Sequence, residues 1–458
     1  MFKWNTNNII DATGGTDVNV CNWIHSSNIS TDTRNIKKGD LFIALKGKNF
    51  DGHNFLHEAF LKGAAAAIVS EGKYKNFPLV IVQDTLKALH DMASYYIRNV
   101  LVDAKVIAIT GSVGKTTTKD MLHTVLSQYG VSHANEGNLN NNIGLPLTIL
   151  KAPKNCQYLI LEMGMNKVGE IKELSKISNP NIAVITNIEP AHTENFSSLF
   201  DVVQAKLEIL YGTKNNGTLV LNRDNKYYDY LSSHANRNII SFGKDKNAEV
   251  CLLDIIRNDD GLNLKIRLNN NQTINFNLRV QGEHFAYSLL AVAVVVQSLR
   301  LDLSKLPLAL KNFSVTKGRG NIHKVKYNRK YIHLIDDSYN ASPTSMKTAI
   351  KTLSTYSNQR KVALLGDMLE LGDKSIEFHT DLVKIVTENN IDKIYTAGKF
   401  MLKLHELLPD NIRGTHFNDS NQLKSDLANI IQNNDAILVK GSRGMKMDLI
   451  VREFIIEY

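Results

Sequence analysis

The chain has 458 residues, 43% hydrophobic and 22% charged, with a formal net charge of +9. That length exceeds what one core serves and points to roughly two to four domains of an ordinary soluble globular protein. The positive charge is spread without a block of like residues, which argues against a nucleic-acid arm; it suits an acidic substrate or a plain Lys and Asn bias.

The N-terminus has no apolar signal core. The first unit, residues 1–100, carries expected strands at Asp40–Leu45, Ala64–Val69 and Pro78–Val82. An expected helix spans Asn54–Leu61. A second, Thr85–Asn99, shows the helical period in Leu86, Leu89, Ala93 and Tyr96. The second unit, 101–316, opens on a buried strand from Val106 that runs into Gly111-Ser-Val-Gly-Lys-Thr-Thr117 and then a helix. Such a turn wraps a polyphosphate with backbone N–H groups and the positive end of a helix dipole. Lys115 would reach the outer phosphates and the Thr116 hydroxyl would ligate Mg²⁺. Bound ATP or GTP is expected.

Further strands are expected at Tyr158–Leu161, Ile182–Ile185 and Thr218–Leu221, with helices between, giving a parallel, doubly wound sheet. Ligands gather at the carboxyl ends of such strands, where Glu162, Asn187 and the phosphate loop fall. Residues 248–280 alternate like antiparallel hairpins. His284–Leu299 reads as a buried helix, and its apolar run Leu289–Val296 is too short to span a bilayer. The third unit, 317–458, repeats the α/β pattern with strands at Tyr331–Ile335, Lys361–Leu365, Lys393–Thr396 and Ala436–Val439. Cys21, Cys156 and Cys251 form no C-x-x-C pair, so no disulfide framework or zinc site is implied and a reducing cytoplasm is expected.

Glu162, opposite the phosphate loop, suits a second Mg²⁺ ligand. His192 lies one strand further along the same rim. Asn135–Pro146 is either a polar loop or a set of donors to substrate phosphates. Lys206, on a helix, reads from its own context as a surface lysine. Asp336–Pro343 and Lys440–Arg443 follow strands of the third unit and suggest that it shares the nucleotide cleft.

In order and together these segments resemble the Mur ligases over all three units. The resemblance rests on Thr110–Thr117, Asn138–Pro146, Glu162-Met-Gly164, Asn187–His192, Ala205-Lys206, Asp337-Ser-Tyr-Asn340, Leu365–Gly372 and Lys440–Arg443. It is closest to the members that add a dipeptide, because Leu365-Gly-Asp-Met-Leu-Glu-Leu-Gly372 stands in the third unit. The resemblance implies a small N-terminal α/β domain for the UDP group, held by Ser30, Thr31, Asp32, Thr33, Arg34, Lys46, Gly47, Asp51, Gly52 and His53. It implies a central P-loop domain and a C-terminal Rossmann-like domain that closes on the site with the dipeptide.

The implied activity is ATP-dependent joining of D-alanyl-D-alanine to UDP-N-acetylmuramoyl-tripeptide through an acyl phosphate. That would make the chain a cytoplasmic, monomeric enzyme of cell-wall synthesis, with no membrane insertion. Lys115, His192 and Lys206 would be catalytic. Gly111, Ser112, Val113, Gly114, Lys115, Thr116, Thr117, Arg319, Asp337 and Asn340 would bind ATP. Thr116, Glu162, His192 and Lys206 would hold two Mg²⁺, Lys206 as its carbamate. The alternatives are a family member adding another amino acid, or a P-loop protein without ligase activity. The family's His-Asn-x-x-Asn is His284-Phe-Ala-Tyr-Ser288 here, its Asn-Ala-Asn-Pro is Asn340-Ala-Ser-Pro343, and its Asp-Ser-Arg is Asp32-Thr-Arg34.

Overall fold

The computed structural model describes every residue except Met1, 20–24, Ser27, Lys48, 73–75, Ala191, His192, Ser197, 259–260 and 457–458. Three sheets follow one another along the chain. The first contains β1 (Thr16–Val18), β2 (Ile29–Ser30), β3 (Leu41–Ile43), β4 (Ala66–Val69) and β5 (Leu79–Ile81), ordered 1-5-4-3-2. Only β1 runs antiparallel to its neighbour.

The second sheet has nine strands: β6 (Lys105–Thr110), β7 (Ser132–Ala134), β8 (Tyr158–Glu162), β9 (Ile182–Ile185), β10 (Thr218–Asn222), β11 (Asn238–Gly243), β12 (Val250–Asn258), β13 (Gly261–Arg267) and β14 (Thr273–Leu278). Their order is 14-13-12-11-10-9-6-8-7. Strands β6 to β12 are parallel, and β12 to β14 extend one edge as the expected hairpins. The chain leaves β6 toward β7 and β8, then crosses to β9 on the other side. The strand order therefore reverses at β6, and a crevice opens at its carboxyl end.

The third sheet contains β15 (Asn321–Tyr327), β16 (Lys330–Asp337), β17 (Arg360–Gly366), β18 (Lys393–Ala397), β19 (Arg413–Phe417) and β20 (Asp435–Lys440), ordered 15-16-20-17-18-19. Asp337, Lys440 and Leu365 are in register, so the ends of three neighbouring strands coincide.

The expected strands and helices form with ends that shift by at most two residues, and Thr85–Asn99 and Ile182–Ile185 form as expected. Residues 52–55 differ in kind, making a 3-10 turn before the helix Leu56–Leu61. Asp51 starts that turn by accepting from the His53 N–H, which favours the tighter winding. Six strands lacked a legible pattern: β1, β2, β7, β11, β15 and β19. Five are either two or three residues long or mostly polar, and β11 is an internal strand whose first residue, Asn238, is polar and exposed.

The cores do not divide as the sheets do. One cluster runs from Leu41, Val80, Leu89 and Tyr96 into Leu145, Ile149, Leu174 and Leu219. The helix Thr85–Asn99 is the shared wall between the first two sheets. Its polar ties also cross: Tyr96 OH donates to Ala152 O at 2.7 Å, and His90 Nε2 lies 2.6 Å from Asn142 O. The third sheet keeps two clusters of its own, one per face, built from residues beyond 320. No helix among the described residues is long and apolar enough to cross a membrane.

Burial pushes the Tyr96 phenol up to about 12, so it remains a donor. Tyr96→Phe would leave the Ala152 carbonyl without it. Urea unfolding is expected to show a loss of about 1–2 kcal/mol; an unchanged midpoint would show that the bond adds nothing to the joint.

Candidate active site

Strand β6 delivers Thr110 into the loop Gly111–Gly114, which opens the helix Lys115–Leu126. Gly111 takes φ +149° and Gly114 φ +84°. A Cβ on Gly111 would lie 2.0 Å from Thr186 Oγ1 and 3.2 Å from the Asn187 nitrogen. The close approach permits four hydrogen bonds. Ser112 N–H donates to Asn187 O at 2.7 Å, and Thr186 Oγ1 donates to Val113 O at 2.6 Å. Ser112 Oγ donates to Glu189 O at 2.8 Å and accepts from the Glu189 N–H at 3.0 Å. Lys115 folds back and donates to Gly111 O at 2.7 Å. Burial lowers its proton affinity and Glu162 partly restores it. A bound phosphate would give the ammonium a charged partner in place of a carbonyl.

Glu162 ends β8 and is 3% exposed. Its Oε1 accepts from Asn140 Nδ2 at 2.9 Å, and its N–H donates to Asn135 Oδ1 at 2.6 Å. The amide-rich loop therefore holds the acid in place, while Asn138, Asn140, Asn141 and Asn142 also line the cleft. Glu162 Oε2 is buried without a hydrogen-bond partner. A buried anionic oxygen with no donor is costly unless a cation meets it. Mg²⁺ commonly takes one or two carboxylates, a hydroxyl and substrate phosphates, so Glu162 and Thr116 fit it.

Lys206 is not a surface residue. It is 4% exposed and lines the cleft from the last turn of the helix Leu199–Leu207. It lies four residues after Val202 and three after Val203, both buried, so it belongs to the inward stripe. Burial, and then the charge of Lys115, hold its proton affinity well below the ordinary lysine range. His192 falls outside the described residues.

The third sheet faces this rim. Lys440, 1% exposed, donates to Asp337 Oδ2 at 2.6 Å and Asn340 O at 2.9 Å. Burial raises the Asp337 carboxyl and Lys440 opposes it. The Arg319 guanidinium lies 4.2 Å from the Tyr339 ring centroid and Arg443 lies 5.4 Å from it. Ser342 caps the helix Pro343–Ser354, which accounts for a short hydroxyl there. Thr344 Oγ1 donates across the cleft to Glu189 Oε2 at 3.1 Å. Phe285 is fully buried beside Gly320, and Ser288 Oγ faces Gly114. A cleft of about 1030 Å³ is lined by all ten expected ATP residues together with Glu162 and Lys206.

The N-terminal candidates do not line it. They sit at the carboxyl ends of β2 and β3. Arg34 pairs with Asp32 at 2.6 Å, and Lys46 Nζ lies 3.8 Å from Asp51. Asp51 is held low by the His53 N–H and ring, and His53 Nε2 accepts from the Ser70 N–H at 2.9 Å. A Cβ on Gly52 would lie 2.7 Å from Leu45 O. Ser30 Oγ bonds Asp32, Thr31 follows it, the Thr33 carbonyl accepts from Lys62, and the Gly47 N–H donates to Phe50 O.

The sequence matches three domain descriptions in order: Mur ligase family, catalytic domain, over 25–109; Mur ligase middle domain over 109–296; and Mur ligase, glutamate ligase domain, over 318–443. A UDP-N-acetylmuramoyl-tripeptide–D-alanyl-D-alanine ligase of Buchnera aphidicola subsp. Baizongia pistaciae is 40% identical over 95% of this chain and 93% of its own. The chain belongs to the Mur ligase family. MurF from Acinetobacter baumannii superposes with TM-score 0.91 at 31% identity, covering 100% of this chain and 99% of that one. MurF ligase from Thermotoga maritima in complex with ADP gives TM-score 0.83 at 28% identity, covering 94% and 97%.

Three groups of this Mur ligase went unread in the sequence. Asn225 Nδ2 donates to Asn187 Oδ1 and to Ile188 O. The strand-end rule applied to β10 would have flagged it. Tyr287 OH donates to Asp224 Oδ2 at 2.8 Å on the cleft wall. Thr344 carried no signal.

Gly111→Ala would force the loop off Thr186. A displacement of about 1 Å costs about 100-fold in a positioned reaction. ATP-dependent turnover is expected to fall at least that far while circular dichroism stays native. Wild-type turnover would show that the loop can shift freely.

Proposed function

We infer that this chain is an ATP-dependent amide ligase of peptidoglycan precursor synthesis. It joins D-alanyl-D-alanine to UDP-N-acetylmuramoyl-tripeptide and releases ADP and phosphate. The observation that carries this is the single cleft between two strand-end rims, with the phosphate loop on one and Asp337, Lys440 and Arg319 on the other. The likeness to D-alanyl-D-alanine ligases over nearly the whole chain supports the choice of substrates. In this reading the enzyme works as a cytoplasmic monomer on small molecules. The first unit binds the UDP group, the second binds ATP and the third brings the dipeptide.

A carboxylate is a poor electrophile, so an oxygen of the tripeptide's terminal carboxylate attacks the γ-phosphorus and ADP leaves. Lys115 and the loop N–H groups meet the charge on the transferring group. The dipeptide amine then attacks the carbonyl carbon, the carbon–oxygen bond breaks, and phosphate departs with its electron pair and takes up the proton that the nitrogen gives up. Arg319, Asp337 and Asn340 are assigned to the nucleotide. Thr116 and Glu162 would hold one Mg²⁺, and His192 and carbamylated Lys206 a second. When bound, the ions neutralise phosphate charge. Closure of the cleft excludes water, which would hydrolyse the acyl phosphate.

The buried Lys206 amine supports the carbamate assignment, because CO₂ adds to a neutral amine and a lowered pKa keeps the amine neutral. The sign follows. Above the depressed pKa the amine is free to react; as pH falls through it, the amine charges and the carbamate is lost. Activity is expected to fall on acidification and to recover with added bicarbonate. Lys206→Ala is expected to abolish ligation without unfolding the protein. Full activity in that variant would sink the carbamate assignment.

The ligase itself is tested by phosphate release from ATP and Mg²⁺, with each substrate alone and with both. Release should need both and yield a product heavier by one dipeptide less one water. Release indifferent to either substrate would overturn the reading.

A further inference from the structure

The segment Asp367–Gly372 leaves the carboxyl end of β17 and crosses to the central unit. Leu369, Glu370 and Leu371 line the cleft. The Glu194 N–H donates to Glu370 O at 3.3 Å, and a Cβ on Gly372 would lie 3.3 Å from Glu194 Cα. Glu370 takes φ +62° and Gly372 φ +60°. A non-glycine residue in that region persists only when its surroundings hold it there.

The holding groups can be named. Ser442 N–H donates to Asp367 O at 2.9 Å, and Leu369 N–H donates to Ser442 Oγ at 2.8 Å. The Asp367 carboxylate accepts from the Phe400 and Met401 N–H groups. Between them, Met368 N–H donates to Nε2 of His379 at 2.9 Å, and the ring's Nδ1 donates to Ser375 O at 2.5 Å. His379 is 0% exposed and sits on the helix Ser375–Thr380, behind the cleft wall. Both ring nitrogens are engaged, which selects the neutral tautomer protonated at Nδ1. Burial keeps the ring's proton affinity low, although Asp367 stands 3.9 Å from Nε2.

We propose that His379 is a positioning residue for the incoming amine: through Met368 it fixes the wall made by Leu369, Glu370 and Leu371, without touching substrate. The proposal rests on the ligase reading above, which assigns the phosphates and the acyl carboxylate to the central rim and the dipeptide to the third unit. A loop of the third unit that meets the central rim at Glu194 borders the gap between them. Misplacing it would harm capture of the dipeptide before that of ATP or the UDP-linked tripeptide.

The test compares His379→Leu with His379→Gln in the full-length enzyme. Leucine fills the space and bonds neither partner. Glutamine can place its oxygen near the Nε2 position and accept from Met368. The leucine variant is expected to raise KM for D-alanyl-D-alanine at least about tenfold, the scale of one buried unpaired amide. KM for ATP and for the tripeptide should stay within about twofold, and glutamine should restore most of the loss. An equal rise in all three constants, or glutamine no better than leucine, would overturn the proposal.

Should the leucine variant not fold, Gly372→Ala strains the other end of the loop, and an unchanged dipeptide KM there would overturn the idea equally. A wild-type enzyme that releases no phosphate with the dipeptide refutes the ligase reading instead. The ring tautomer, read from ¹⁵N shifts of histidine-labelled protein, then still bears on His379. A ring protonated at Nε2 would overturn its role.

Discussion

Because Gly111 carries no side chain, the phosphate loop lies flat against Thr186 and Asn187 and takes its shape from their backbone. That contact spans the point where the strand order reverses, from the end of β6 to the end of β9. Asn225, after β10, steadies Asn187 in turn. On the other side of β6, Asn135 and Asn140 steady Glu162. Asn187, the phosphate loop and Glu162 therefore stand at the ends of the neighbouring strands β9, β6 and β8, spaced by about 4.8 Å per strand. The order of the sheet becomes the order of groups along the rim, and a fault at Gly111 would propagate to both neighbours.

Charge within the rim is arranged for a guest. Lys206, buried, and Lys115, half-buried, face one cleft; the charge of Lys115 adds to burial in lowering the Lys206 affinity for protons, while burial and Arg319 lower that of Lys115. Glu162 stands against Lys115, with one oxygen unmatched. Such a set is uncomfortable by itself and is relieved by a polyphosphate with its cations, which is the sense in which a site is preorganised. On the facing rim, Asp337 and Lys440 already neutralise each other. Arg319 and Arg443 on the same wall keep positive charge facing the cleft.

Much of this was legible because parallel sheets bury both faces. Strands such as Val106–Thr110 and Ile182–Ile185 then read as unbroken apolar runs, and the residue after each run falls at the ligand side. The phosphate loop followed from its glycines and Gly114-Lys-Thr-Thr117, and Glu162 from that rule together with the loop opposite it. Lys206 did not, because a lysine in a mixed helix is usually solvated; the buried Val202 and Val203 one turn earlier were the overlooked sign. Short strands such as Ser132–Ala134 and Ile29–Ser30 carry too few residues to show a period. They exist because a neighbouring strand supplies partners, which is a tertiary fact. Cross-cleft pairs such as Thr344 with Glu189 join residues 155 positions apart, beyond any local pattern.

The core that joins the first sheet to the second has a consequence for a chain still being made. Thr85–Asn99 buries one side against Leu145 and Leu150 and against the helix Glu170–Ser178. Until that helix is synthesised, about 80 residues after Asn99, the wall faces water. At about 5–20 residues per second the wait is roughly 4–16 s. For that interval the nascent N-terminal segment presents an apolar helix face on the ribosome, a target for chaperones. The third sheet, with both its cores inside its own boundaries, imposes no such delay.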